Sequence, residues 1–197
     1  MHATGQAAHF DPPEDRTGLA WQKALNSILP DSIRIISYQT MNTNFHARFS
    51  ALSKTYSYTF WTEKNYVLPQ RRNFVWKTGP LDTEAMQKAS GILIGMQNFR
   101  AFMNKGTPVR STWREIRDIT FGPGFYPEEL VMRINADGFL KQMVRNIAGA
   151  LVSIGQKKYP CTHLQHMLAS GRRAISPATA PPSGLNLEGV EYPEPYR

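Results

Sequence analysis

Residues 45–60 carry the strongest local pattern in the chain. Residues 45–49 place a histidine and an arginine between two phenylalanines, and residues 55–60 alternate hydroxyl with aromatic side chains. Since successive strand residues face opposite sides of a sheet, this alternation predicts a β-strand with one aromatic face. The aromatic face consists of Tyr56, Tyr58 and Phe60. It is consistent either with the inner face of a sheet or with a stacking platform for planar groups beside a cation such as Arg48.

The other periodic segments occur in an irregular order. Helices are predicted at residues 17–29, 82–95, 139–154 and 161–170, and further strands at residues 33–38, 112–121, 129–136 and 185–192. Asp15, Thr17 and Asp82 are the candidate helix N-caps, and residues 97–110 are predicted to form a loop. The turn residues Gly122-Pro123-Gly124 predict a hairpin, which favours an α+β fold with a mixed, mainly antiparallel sheet. The alternative is a regular α/β fold.

The charge balance indicates a polyanionic partner. The 197 residues include 23 Lys and Arg against 15 Asp and Glu, a net charge of +8. Nucleic acid is favoured over a membrane, because no apolar run approaches the roughly 20 residues that span a bilayer. Cys161 is the only cysteine, so an internal disulfide is excluded and a reducing, cytoplasmic location is expected.

Several common site types are not expected. His163 and His166 have helical spacing, but the remaining histidines are scattered and the cysteine stands alone, so the ligands of a metal site are missing. No glycine pattern typical of a phosphate-binding loop occurs. No G-x-S-x-G segment occurs either, although spacing alone does not exclude a Ser/His/Asp hydrolase.

Arg145 has an unusual setting. It lies within Met143-Val144-Arg145-Asn146, in the middle of a predicted helix and next to apolar residues. An arginine there is either a surface residue whose stem lies along apolar neighbours or a partly buried cation held for an anionic partner. The sequence leaves both interpretations open.

Segments spread over the whole chain resemble the tRNA pseudouridine synthase A family, in the family's order. They are His2-Ala3-Thr4-Gly5-Gln6, Phe45-His46-Ala47-Arg48-Phe49-Ser50-Ala51, Lys54-x-Tyr56-x-Tyr58, Phe139-x-x-x-Met143-Val144-Arg145-Asn146-Ile147, and Ala178-Thr179-Ala180-Pro181-Pro182-x-Gly184-Leu185. Each segment alone is a weak signal. Their common order makes the resemblance specific.

The resemblance implies an enzyme that converts uridine to pseudouridine in the anticodon stem-loop of tRNA. It implies a homodimer that needs no metal and no organic cofactor, with two lobes around a basic cleft. Residues 1–44 would be the remainder of the N-terminal lobe and residues 45–197 the C-terminal lobe.

The resemblance also implies roles for individual residues. Tyr56 would contact the target base, Arg145 would pair with the catalytic aspartate, and Arg48 would serve the flipped nucleotide or its backbone. The remaining residues expected to bind substrate are His2, Gln6 and Leu185. These roles suit a base that leaves its stack and a carboxylate that must stay ionised.

One departure from the family pattern concerns the nucleophile. In the family it lies in Arg-Thr-Asp-x-Gly, directly before Val-His-Ala, and here Met1 stands in the place of that valine. We therefore expect an incomplete first lobe and a chain that is inactive alone. The favoured explanation is a truncated reading of the gene. The alternatives are a non-catalytic tRNA-binding protein and, more remotely, an enzyme of another class.

Overall fold

The computed structural model describes residues 1–16, 18–104, 106–172 and 177–194, which form one seven-stranded sheet and four α-helices. The strands are β1 (His2–Ala3), β2 (Ser53–Trp61), β3 (Trp76–Lys77), β4 (Gly95–Asn98), β5 (Trp113–Pro123), β6 (Glu129–Ala136) and β7 (Leu185–Glu191). The helices are α1 (Trp21–Asn26), α2 (Thr83–Ser90), α3 (Met143–Gly155) and α4 (Thr162–Ser170).

The sheet has the order β1-β7-β2-β6-β5-β4, and β3 pairs with β2. The pairs β1–β7 and β2–β3 are parallel, and the other pairs are antiparallel. This mixed, mainly antiparallel sheet with flanking helices confirms the predicted α+β class. The division of the chain between residues 44 and 45 stays a prediction.

Strand β2 lies at the centre of the sheet, between β7 and β6. Its predicted alternation is confirmed: Tyr58 and Phe60 are fully buried, whereas Tyr56 is only half-buried. The inner-face interpretation therefore holds for Tyr58 and Phe60. Tyr56 keeps part of its side chain accessible.

Helix α3 covers the aromatic face of β2. Ile147 and Leu151 are fully buried and belong to the same apolar core as Tyr58 and Phe60. The predicted helix began at residue 139, but α3 begins only at Met143. Gln142 has a φ of 64°, a left-handed conformation that interrupts a right-handed helix.

Two predictions near the N-terminus are wrong. The predicted helix 17–29 is reduced to α1, whose N-cap residue is Ala20 and makes no side-chain hydrogen bond to the helix. The candidate N-cap Asp15 lies in a preceding 3₁₀ turn. The other candidate, Thr17, is outside the described residues. Residues 33–38, all of them described, form no strand. The Asn26 side chain bonds both the N–H and the carbonyl of Ile35, and Gln22 donates to the Ile36 carbonyl. These side chains take the place of a neighbouring strand.

The middle of the chain follows the predictions more closely. Asp82 caps α2 by accepting a hydrogen bond from the N–H of Ala85 at 3.0 Å. The helix then ends at Ser90, not at residue 95, because a 3₁₀ turn follows. Residues 97–110 are not wholly a loop, since β4 extends to Asn98 and pairs with β5 at the sheet edge.

The predicted hairpin of β5 and β6 is present. Strand β5 runs through Pro123, so the turn lies just beyond the predicted Gly-Pro-Gly segment. It is closed by hydrogen bonds between Gly124 N–H and the Glu129 carbonyl, and between Glu129 N–H and the Tyr126 carbonyl. The buried Glu129 carboxylate also accepts from the N–H of Phe125.

Candidate functional site

Tyr56 and Phe139 form an aromatic pair on the helix-covered face of the sheet, and neither ring is fully buried. Their rings are 5.2 Å apart between centroids and nearly perpendicular, at 88°. Both side chains are half-buried, and burial raises the pKa of the Tyr56 hydroxyl. Phe139 belongs to one of the family-like segments but has no assigned role in the sequence analysis. Its contact with Tyr56 arises from the loop before α3, which the predicted helix had obscured.

Tyr58 has a different environment from Tyr56 although it lies on the same face. Its hydroxyl donates to the Pro181 carbonyl at 2.7 Å, and its ring lies against Gly184. Burial is the main cause that raises its pKa, with the nearby Arg145 charge acting in the opposite direction. Tyr58 therefore serves packing, and Tyr56 is the tyrosine of β2 that remains able to meet a ligand.

Arg145 is a half-buried cation in the first turn of α3. Its Nε donates to the Ala180 carbonyl at 2.6 Å. All fifteen Asp and Glu residues of the chain are among the described residues, and none of them forms an ion pair with Arg145. Of the two interpretations from sequence, the partly buried cation matches this environment.

The loop that carries Ala180 is fixed on α3 by tight packing and by hydrogen bonds. The Thr179 hydroxyl donates to Oδ1 of the fully buried Asn146 at 2.8 Å, and Asn146 Nδ2 donates to the Phe102 carbonyl at 2.6 Å. A Cβ on Gly149 would overlap the carbonyl of Ala178. Arg145 therefore lies beside a loop that is hydrogen-bonded to α3 and packed closely against it.

Arg48 lies in a tight turn before β2. The Nδ1 atom of His46 accepts from the N–H groups of Arg48 and Phe49 at 3.1 and 3.4 Å, and Ser50 Oγ accepts from His46 N–H at 3.0 Å. The Arg48 guanidinium lies 5.5 Å from the centroid of the Phe49 ring. The Tyr192 hydroxyl ties the turn to the other end of the chain through the Ala47 carbonyl.

Lys54 shares the face of Tyr56 but has no assigned role in the sequence analysis. Its Cα lies opposite Ala136 of β6 and Val190 of β7, and its side chain is half-buried. Burial lowers the pKa of the ammonium group, and the charge of Arg48 lowers it further. The signal for this residue was available in the sequence, because Lys54 is two positions before Tyr56 in the alternating pattern.

The remaining predicted site residues occupy separate positions. Leu185 is buried opposite Tyr58 in β7. His2 pairs with Asn186, which pairs with Ser57, so His2 lies on the sheet face opposite Tyr56. There its Nε2 contacts the Asn73 carbonyl at 2.8 Å.

Gln6 lies beyond the end of β1 and is exposed. Gly5, one residue before it, lies so close to the backbone of β7 that a Cβ would overlap the Glu188 carbonyl. The glycine at position 5 is therefore explained by its close approach to β7. Lys54, Tyr56 and Arg145 therefore lie on the side of the sheet that α3 covers, and the charge of Arg48 acts on Lys54 there, whereas His2 faces the other side.

The described residues contain neither a metal-ligand cluster nor a helix long and apolar enough to span a membrane. Within residues 1–16, 18–104, 106–172 and 177–194, no group of three or more His, Cys, Asp or Glu side chains could hold a metal ion. In the same part of the chain, no helix has the length and apolar character needed to cross a bilayer.

Comparison with known proteins gives one consistent result. A family model described as tRNA pseudouridine synthase matches residues 89–193. The tRNA pseudouridine synthase A of Solidesulfovibrio magneticus is 44% identical over 198 residues, covering 99% of this chain and 72% of that protein. The protein of the same name from Maridesulfovibrio salexigens is 43% identical over 194 residues, covering 98% and 72%.

A relative with a lower identity also matches nearly the whole chain. The tRNA pseudouridine synthase A of Bacillus pumilus is 38% identical over 192 residues, covering 98% of this chain and 77% of that protein. These matches cover nearly the whole chain, including the segments that contain Tyr56 and Arg145. This chain belongs to the tRNA pseudouridine synthase A family.

Proposed function

We propose that this chain binds the anticodon stem-loop of tRNA and supplies Tyr56 and Arg145 to the conversion of a uridine to pseudouridine. One observation carries the proposal: an accessible tyrosine and an arginine without a carboxylate partner lie on the same side of the sheet, and the arginine is held by a hydrogen bond to the Ala180 carbonyl. A uridine that leaves its stack can place its base on Tyr56. The family membership and the net charge of +8 support RNA as the ligand.

The chemistry explains why Arg145 matters. The bond between N1 of the base and C1′ of the sugar breaks, a bond between C5 and C1′ forms, C5 loses a proton and N1 gains one. The product is an isomer, so no oxidant or reductant is consumed. A carboxylate nucleophile must be ionised to start the reaction, and an adjacent guanidinium favours the ionised form.

Because Arg145 has no carboxylate partner within residues 1–197, these residues alone lack a nucleophile beside Arg145. No carboxylate of the chain pairs with Arg145, so we propose that the nucleophile is supplied from outside these residues. The isolated chain then binds tRNA without modifying it. We further propose that it acts in the cytoplasm as part of a homodimer.

The proposal is tested by two measurements on unmodified tRNA transcripts. Pseudouridine formation is measured by mass spectrometry with the isolated chain, and the Solidesulfovibrio magneticus relative serves as the active control. We expect no product from the chain and full conversion by the relative. Robust activity of the chain would show that another carboxylate is the nucleophile.

The second measurement is tRNA binding by fluorescence anisotropy as a function of salt. We expect binding at low ionic strength that weakens steeply as salt is added. No binding at low salt would overturn the proposed RNA site.

A non-catalytic tRNA-binding protein is the second candidate function, favoured by the same unpaired Arg145. The nucleotide sequence upstream of Met1 separates the two candidates. An in-frame Arg-Thr-Asp-x-Gly segment supports a synthase, and a stop codon in that position supports the binding protein.

A further inference from the structure

The Lys54 side chain is half-buried and forms no ion pair with a described residue. Its Cα lies between Ala136 and Val190, which are apolar. None of the fifteen carboxylates of the chain forms an ion pair with it, and its ammonium group donates no hydrogen bond to the described residues. Burial of an unpaired charge destabilises a protein, so a purely structural role would favour an apolar residue at this position.

A second cation lies near Lys54. Arg48 is close enough for its charge to lower the pKa of Lys54. None of the five ion pairs among the described residues includes Lys54 or Arg48, and like charges near each other that no carboxylate pairs with create a local positive potential, which favours an anion. The backbone of Arg48 is held by the His46 turn, and its exposed guanidinium is accessible to a ligand.

The position of this pair relative to Tyr56 suggests which anion it meets. Lys54 and Tyr56 are two residues apart on one strand face, a separation of roughly 7 Å between Cα atoms. This is the scale of a single nucleotide, from its base to its own phosphate. A base on Tyr56 therefore brings a phosphate group within reach of Lys54.

We propose that Lys54, together with Arg48, binds a phosphate oxygen of the nucleotide whose base stacks on Tyr56. The proposal rests on the proposed function, because it needs an RNA nucleotide at Tyr56. It adds a phosphate-binding residue and assigns a reason for an unpaired, half-buried lysine on the strand.

Stability separates this role from a structural one. Lys54→Met keeps an unbranched stem of similar length and removes the charge. We expect the melting temperature of Lys54→Met to equal or exceed that of the wild-type chain, while affinity for the anticodon stem-loop falls about tenfold. A lower melting temperature with unchanged affinity would show that Lys54 is a packing residue.

The salt dependence of binding identifies the phosphate contact. Lys64→Met is the matched control, since Lys64 is exposed and lies just beyond the same strand. For Lys54→Met we expect the slope of log affinity against log salt to fall by about one, as for the loss of one phosphate contact. Lys64→Met should keep the wild-type slope, and an equal loss in both variants would overturn the proposal.

A single-atom change in the RNA locates the contact. Anticodon stem-loop RNAs that carry one neutral methylphosphonate, scanned along the loop, are bound to the wild-type chain and to Lys54→Met. We expect one position where the methylphosphonate weakens wild-type binding but leaves Lys54→Met unaffected, which is the result of a direct coupling.

The outcomes distinguish the two proposals. If the wild-type chain does not bind the RNA at low salt, the proposed function fails. If the wild-type chain binds but no methylphosphonate position couples to Lys54, the RNA site stands and the phosphate contact of Lys54 is wrong.

Discussion

Arg145 and Ala180 are joined by two hydrogen bonds that run in opposite directions. Arg145 Nε donates to the Ala180 carbonyl at 2.6 Å, and the Ala180 N–H donates to the Arg145 carbonyl at 3.2 Å. The first turn of α3 and the loop before β7 are thereby fixed to each other. The guanidinium is oriented by protein contacts before any ligand arrives, which reduces the ordering that binding requires.

Replacement of Arg145 by lysine tests this geometry. Lysine keeps the positive charge but lacks the Nε donor and the planar group, so the bond to the Ala180 carbonyl is lost. We expect Arg145→Lys to lower the free energy of unfolding in urea by about 1 kcal/mol. Arg34→Lys, at an exposed arginine, is the control and should be within about 0.5 kcal/mol of wild type. Equal stability of Arg145→Lys and wild type would contradict the structural role of this bond.

Gly184 provides a test of packing beneath Tyr58. A Cβ at this position would lie 2.6 Å from the Tyr58 ring and 2.8 Å from the Thr59 carbonyl. We expect Gly184→Ala to lower the free energy of unfolding by about 1–3 kcal/mol, because a buried ring and a backbone must move. The control Gly91→Ala has no atom within 4 Å of the new Cβ and should be neutral or slightly stabilising. Similar effects of the two substitutions would show that the contact is not tight.

Local patterns were sufficient to predict the central parts of the fold. The alternation in β2 and the apolar arc of α3 both depend on residues close in sequence, and both elements are present. Residues 33–38 show the opposite case. Their β-rich pattern was not enough, because Gln22 and Asn26 occupy the backbone groups that a neighbouring strand would bond.

In the candidate site, too, the sequence predicted what depends on neighbouring residues and missed what depends on distant ones. Sequence placed Tyr56 and Tyr58 on one face but did not show which of them is buried, because the answer depends on the distant Pro181 and Gly184. It also did not show that Ala3, and not His2, shares a row with Tyr56, since this depends on the register of β1 on β7. Strand register is a tertiary property.

Tyr58 also provides a test of its hydrogen bond. Tyr58→Phe removes the donor and leaves the carbonyl of the half-buried Pro181 without it. We expect a loss of about 1–3 kcal/mol in the free energy of unfolding, measured by urea denaturation at pH 7. Tyr66→Phe is the control, since the Tyr66 hydroxyl bonds Glu128 at an exposed position, and it should cost less than about 1 kcal/mol. A fully stable Tyr58→Phe variant would contradict this account.

The raised pKa of Tyr58 predicts how stability depends on alkaline pH. Burial favours the protonated hydroxyl in the folded chain, so its pKa lies above the ordinary value of 10.0. The folded state then holds a proton that the unfolded state releases, and stability is fully present below pH 10 and falls as pH rises above it. We expect the free energy of unfolding of the wild-type chain to decline between about pH 9.5 and about pH 11, the range around the ordinary tyrosine pKa. The decline should be shallower in Tyr58→Phe. Parallel curves for the two proteins would show that Tyr58 does not contribute.

Tyr56 is the residue whose change should affect RNA binding more than folding. Its ring is half-buried against the edge of Phe139, and no hydrogen bond joins its hydroxyl to a described residue. We therefore expect Tyr56→Phe to retain both stability and affinity, because the aromatic surface remains. Tyr56→Ala should weaken binding of the anticodon stem-loop by about 1–3 kcal/mol, the usual contribution of one stacked base. Fluorescence anisotropy at fixed salt measures the affinity, and circular dichroism on the same samples checks folding. If Tyr56→Ala remains folded and binds RNA as well as wild type, the base does not stack on this strand.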